Sequence, residues 1–174
     1  MTVTALHASE RNPMLTAALT VAVGGAATIL GAYFFQYVVG LNPCPLCLEQ
    51  RIPYYVAIPF AGLVAAAAYA RWDERLIRVG LGLLVIALLI GAGLGVYHSG
   101  VEWKFWPGPQ DCSGQISGLG SVSDLMSRLE TIRVVRCDEA AWRFLGLSLA
   151  GYNVLISLAL AAVAGWGMLA GRRA

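Results

Sequence analysis

The chain has 174 residues, of which 58% are hydrophobic and only 13% are charged, with a formal net charge of +2. So little charge cannot cover a water-soluble domain of this size, and the apolar residues fall in runs longer than a buried core helix needs. The small net charge, without a Lys/Arg cluster, excludes a nucleic-acid surface, and no GxGxxG, P-loop or HExxH pattern is present.

Four apolar segments are long enough to cross about 30 Å of hydrocarbon at 1.5 Å per residue. They are predicted at about 14–39, 50–70, 79–97 and 144–169. The first is read as a retained anchor, because the apolar stretch after Arg11 is too long for a signal core. Small residues at Gly24, Gly25, Gly31, Gly91, Gly95, Gly146 and Gly151 suit close helix approach. Pro53 and Pro59 each remove a backbone donor and are expected to bend the second span. The fold class is thus an all-α membrane protein, a four-helix bundle forming one domain over 1–174.

The connections at about 40–49 and 98–143 fall on one face of the bundle. The other face carries Arg11, Arg71, Arg75, Arg78, Arg172 and Arg173 in short stretches near helix ends. The loop face also has six basic residues, but spread more thinly and among seven acids. Density and position therefore place both termini in the cytoplasm and the loops outside. Within the long loop, Leu125, Leu129 and Ile132 repeat at helical spacing, which predicts a short helix over 121–135, either lying at the membrane surface or standing as an ordinary soluble helix in the loop. Trp103, Trp106 and Trp142 flank that loop and are expected to form an aromatic belt.

The four cysteines all lie in the loops of that face: Cys44 and Cys47 in the first, Cys112 and Cys137 in the second. The two-residue spacing of Cys44 and Cys47 points to one pair, which leaves Cys112 with Cys137. A zinc site would be better served by two CxxC motifs, and covalent haem needs CxxCH where Leu48 stands. A purely structural disulfide in so small a ring constrains the unfolded chain little. Redox exchange is the reading that spacing and membrane context favour, with no metal expected.

Position sharpens it. CPLCLEQR leads directly into the second span, so Cys44 and Cys47 sit near a helix N-terminus, where partial positive charge favours a thiolate. Arg51 follows Cys47 by one helical turn; it either reaches for headgroups or serves the sulfur, and the neighbouring CxxC favours the second. His98 ends the third span in GVYHSGVEW. It is either an ordinary hydrogen-bonded polar residue or a donor to a bound carrier.

CPLCLEQR, GVYHSGVEWKFWPGPQDC and RCDEAAWRFLGLSLAGYN, in this order, resemble the disulfide-bond-formation protein B (DsbB) family of bacterial inner membranes, over nearly the whole chain. The resemblance implies a quinone-reducing protein-disulfide oxidoreductase. A reduced periplasmic thiol oxidase of the DsbA type would attack the Cys112–Cys137 disulfide, with Cys112 the expected site of the mixed disulfide. The Cys44–Cys47 pair would reoxidise the resulting dithiol. Cys47 would then react with a membrane quinone, ubiquinone being favoured over menaquinone, while Cys44 resolves the adduct. Arg51 stands at the family's quinone-site arginine, and His98 at a histidine associated with the same site.

DsbA-type oxidases are a standard example of strong oxidants at about −120 mV; a loop disulfide near a thioredoxin-like value of about −270 mV would face roughly 7 kcal/mol uphill. A more oxidising lipid-borne acceptor has to pull the sequence forward. Two rivals remain: a conduit carrying electrons outward, like vitamin K epoxide reductase-like proteins, and a tetraspan scaffold with structural disulfides. Loop order and the GVYH and LGLSLAGYN motifs argue against the first. The division of the cysteines between two loops argues against the second.

Overall fold

The computed structural model describes residues 12–109 and 136–170. Helix α1 covers Pro13–Tyr33 and runs on as a π-helical turn over Phe34–Val38. A short α2, Pro45–Glu49, precedes α3, Ile52–Tyr69. Helix α4, Glu74–Glu102, is followed by strands β1, Arg143–Phe144, and β2, Leu147–Ser148, and by α5, Leu149–Ala170.

Local chemistry sets these limits. Asn12 caps α1, its side chain accepting from the Leu15 amide at 3.1 Å, with Pro13 in the first turn where no amide is needed. Asp73 caps α4 in the same way through the Arg75 amide at 2.8 Å. Pro53 sits in the first turn of α3, so it starts the helix rather than bending it; only Pro59 lies inside.

The four long helices, taken with their short extensions, are each apolar and long enough to cross a bilayer. They form a closed ring in which α1 packs on α3 and α5, and α4 packs on the same two helices. Val21, Leu81, Leu84 and Leu88 fill the centre with Ala17, Ala61 and Ala164. Leu30, Val56, Leu63, Val79 and Leu169 point outward, so the helices are apolar all round, the pattern of segments solvated by lipid. This is the expected multi-pass four-helix membrane bundle.

Three details differ from the sequence reading. The third span extends beyond 79–97 at both ends, because Asp73 caps it early and buried Val101 and Glu102 hold its last turn. The fourth helix begins at Leu149 rather than near 144. The residues before it form a two-residue hairpin that pairs Arg143 with Ser148 and Phe144 with Leu147. Leu145 and Gly146 both have positive φ, 48° and 83°, as a tight primed turn requires, so Gly146 serves the turn and not helix packing. The helix expected over 121–135 lies outside the described residues.

Close packing is clearest between α1 and α5. A Cβ built on Gly167 would stand 2.4 Å from the Ala17 Cβ and 3.2 Å from the Pro13 carbonyl oxygen, with no flexible side chain to yield. Gly167→Val should therefore lower the stability of the detergent-solubilised protein by about 1–3 kcal/mol. Gly93→Ala, whose Cβ meets nothing within 4 Å, should leave it unchanged. Thermal unfolding of the two variants checks this; equal midpoints would contradict the packing.

Candidate functional site

The site is built where α2 enters α3. Cys44 is the N-cap of α2, and its sulfur accepts a hydrogen bond from the Cys47 amide at 3.3 Å. The capping geometry turns both side chains to the same side. Both are free thiols, with the Cys44 S–H donating to the Cys47 sulfur at 2.8 Å. Contact with Cys47 is the first reason the Cys44 thiol is pushed well above its usual range, and burial adds to it. Cys44 is buried, whereas Cys47 is partly exposed.

Both sulfurs and the His98 ring nitrogen lie within 4.8 Å of one another, a donor set a soft metal could use. The sulfurs, however, are closer than the roughly 3.7 Å that two thiolates keep around a tetrahedral zinc with bonds of about 2.3 Å. That separation suits a pair that forms and breaks a bond with each other.

Cys137 is disulfide-bonded and fully buried. It packs in one cluster with Cys44, Leu46 and Val101, against which Cys47 also rests. Its main chain accepts a hydrogen bond from the His98 ring. The second-loop cysteine therefore lies against the first-loop pair. Cys112 lies outside the described residues. Beside Cys137, Arg136 grips Asp138 through two hydrogen bonds of 3.1 and 2.9 Å, which holds the Asp138 carboxyl below the usual carboxylate range.

Arg51 falls between α2 and α3, nearly buried. It donates to Gln36 Oε1 at 2.8 Å and its guanidinium lies 5.3 Å from the centre of the Tyr33 ring. It thus turns towards α1 and is not held at a headgroup level by its partners. Cys47 and Arg51 share one cavity of about 570 Å³, walled also by Phe35, Gln36, Tyr54, Trp142 and Asn153. Its size falls within the range of small-molecule pockets, and its walls are mainly apolar with a few polar groups. Trp142 belongs to this wall, packed 5.0 Å from Phe35 and stacked on Phe144 at 5.8 Å, rather than to a simple surface belt.

His98 is not among the cavity-lining residues. Its Nε2 is 3.6 Å from the Cys44 sulfur, on the far side of the pair, and its Nδ1 is 2.6 Å from Gln50 Nε2. Gln50 is one of four polar residues inside the bundle, with Tyr54, Asn153 and Ser157, that the sequence reading did not single out. Its Oε1 accepts from Asn153 at 2.7 Å, Asn153 meets Ser157 at 3.4 Å, and Ser157 meets Tyr54 at 2.7 Å. The chain of polar groups joins three helices and leads from inside the bundle to the sulfurs. Gln50 and Asn153 stand in motifs already prominent in the sequence, LEQR and AGYN, and their polarity within apolar spans was the available signal.

Comparison with known proteins gives the family. A family model described as disulfide bond formation protein DsbB matches residues 14–167. Disulfide bond formation protein B of Polaromonas sp. is 30% identical over 82% of this chain and 83% of its own length. The protein of the same name from Xylella fastidiosa is 32% identical over 82% and 81%, and an uncharacterized protein, RP370, of Rickettsia prowazekii is 30% identical over 74% and 73%. No solved structure matches. With a dithiol at the head of the second span, a buried disulfide sulfur against it and a family match across all four helices, this chain belongs to the DsbB family of disulfide bond formation proteins.

Proposed function

We propose that this protein oxidises a DsbA-type thiol oxidase on the outer face of the bacterial inner membrane and passes the electrons to a membrane quinone, ubiquinone in preference to menaquinone. The observation that carries the reading is the shared cavity: the accessible sulfur of the CxxC pair, Cys47, and the cation of Arg51 face the same apolar space. A quinone ring offers a carbon for the sulfur and an oxygen for the guanidinium. Its hydrocarbon tail belongs in lipid.

The order of the steps is the one the family resemblance implies, and the exposures and contacts of Cys44, Cys47 and Cys137 support it. The partner's thiolate attacks the Cys112–Cys137 disulfide at Cys112, and a second partner thiol releases the reduced pair. Those thiols reduce the Cys44–Cys47 disulfide, the place of Cys137 in one buried cluster with the first-loop pair supporting a direct exchange. Cys47 then adds to the quinone. Cys44 attacks the Cys47 sulfur, re-forming the disulfide and expelling quinol, so that two electrons and two protons leave the dithiol. Arg51 stabilises the negative oxygen that develops on the ring. His98 acts on the sulfur rather than on the carrier, through its contact with Cys44.

The orientation places both termini in the cytoplasm and the cysteine loops in the periplasm. It rests on the charge distribution and on the need of the exchange to meet a periplasmic partner. A scaffold protein with structural disulfides would have no use for a pair of free thiols of which one faces a cavity.

Cys47→Ala should abolish oxidation of a reduced DsbA-type partner by quinone in membranes; retained turnover would remove the proposed electron exit. Arg51→Ala should raise the KM for quinone about 10-fold or more, the usual weight of a lost charge-assisted bond, while the KM for the partner stays put. An unchanged quinone KM would return Arg51 to a structural role. In the reduced protein, alkylation mapped by mass spectrometry should find Cys47 labelled before Cys44 near neutral pH. The raised Cys44 thiol should respond only as the pH climbs, and equal rates for the two would contradict the assignment of roles.

A further inference from the structure

Glu102 is the one acid of the described residues that is buried, at 8% exposure, and it closes α4 one turn after His98. Its Oε1 lies 3.7 Å from His98 Nε2, while its Oε2 is buried with no hydrogen-bond partner. Ser148 and the charge of Arg143 stand beside it from the hairpin, and its own charge reaches both Cys44 and Cys47. A carboxylate in such a place is costly without a use, since a buried charge with an unfilled acceptor loses its hydration for nothing.

The surroundings of His98 define what it does there. Gln50 Nε2 donates to the Leu46 carbonyl oxygen at 3.3 Å and faces His98 Nδ1, while Gln50 Oε1 is taken by Asn153. The amide orientation is fixed on both sides, so Nδ1 accepts and the proton of the neutral ring sits on Nε2. That single N–H has three acceptors around it: the Cys137 main chain, which it bonds, the Cys44 sulfur at 3.6 Å and Glu102 Oε1 at 3.7 Å.

We propose that Glu102 is the proton acceptor of the Cys44–Cys47 dithiol, sharing one negative charge with Cys44 across the Nε2–H of His98. This rests on the dithiol chemistry set out above. With Cys44 a thiol, the negative charge stands on the Glu102 carboxylate, 3.7 Å from Nε2. When Cys44 is to attack, its proton passes to the free Oε2 of Glu102, and the ring N–H turns to the new thiolate. In the quinone reaction the Cys47 proton goes to a ring oxygen as the sulfur adds. The Cys44 thiolate then attacks the Cys47 sulfur, the S–S bond forms, the bond from sulfur to the carrier breaks, and the electron pair leaves on the quinol anion. That anion takes a proton from water, and Glu102 returns one to water. The sum is a dithiol and a quinone converted to a disulfide and a quinol. Glu102 touches neither carrier nor partner; it acts as the base of Cys44.

The test oxidises the pre-reduced full-length protein in detergent with diamide, which accepts the two electrons and two protons without a quinone site. Cys44–Cys47 disulfide formation is followed by mass spectrometry from about pH 6 to about pH 9. Glu102→Gln should slow the reaction about 10-fold or more at the acid end, with the gap closing as hydroxide takes over, and Glu102→Asp should recover most of the rate. Rates for Glu102→Gln within about two-fold of the parent across the range would overturn the proposal. So would a loss that is the same at every pH and is not restored by Glu102→Asp, the mark of a packing role. If the parent reacts with diamide as expected but not with a short-chain quinone, the carrier assignment fails while the role of Glu102 stands.

Discussion

The chemistry proposed for this molecule depends on one junction, the turn at which the Cys44–Cys47 pair enters the second span. Cys44 caps a short helix, so its sulfur is drawn back over the Cys47 amide and the two sulfurs meet at 2.8 Å. The pair then has two unlike sides. Cys47 looks into a cavity between helices, and Cys44 looks at His98 and shares a buried cluster with Cys137. A dithiol with a separate environment for each sulfur can receive electrons on one side and release them on the other.

The polar chain behind the pair explains how the junction is held in an apolar bundle. Tyr54, Ser157, Asn153, Gln50 and His98 satisfy one another from three helices, where each alone would be expensive to bury. Such a network holds only when the helices are in register, so it ties the position of the cysteines to the packing of the bundle. The tight approach of α1 and α5 at Gly167 serves the same end, because α1 supplies the Gln36 and Tyr33 partners of Arg51.

Much of this was legible in the sequence because it depends on short spacings. Span composition gave the four-helix bundle, and the CxxC at a span entrance marked the reactive pair and brought Arg51 with it. The remainder depends on contacts between distant positions. Asn153 and Gln50 are 103 residues apart, and neither carries a periodicity that announces its partner. Glu102 read as one more acid in a charged loop, because the apolar run fades after Tyr97. The helix nevertheless continues, with Gly100 lying flat beneath the Trp106 ring and Val101 buried against the cysteines. The hairpin was hidden for a related reason: Leu145 and Gly146 look like part of an apolar helix unless the positive φ of both is known.

Electron transfer from the dithiol to a lipid-borne carrier is the central claim, and anaerobic titration of the purified, reduced protein with a short-chain quinone tests it most directly. Thiol loss and quinol formation are followed together in the same sample. The account predicts one quinol for each pair of thiols lost, with the disulfide recovered between Cys44 and Cys47. Thiols that persist in excess quinone, or that vanish without quinol, would contradict it.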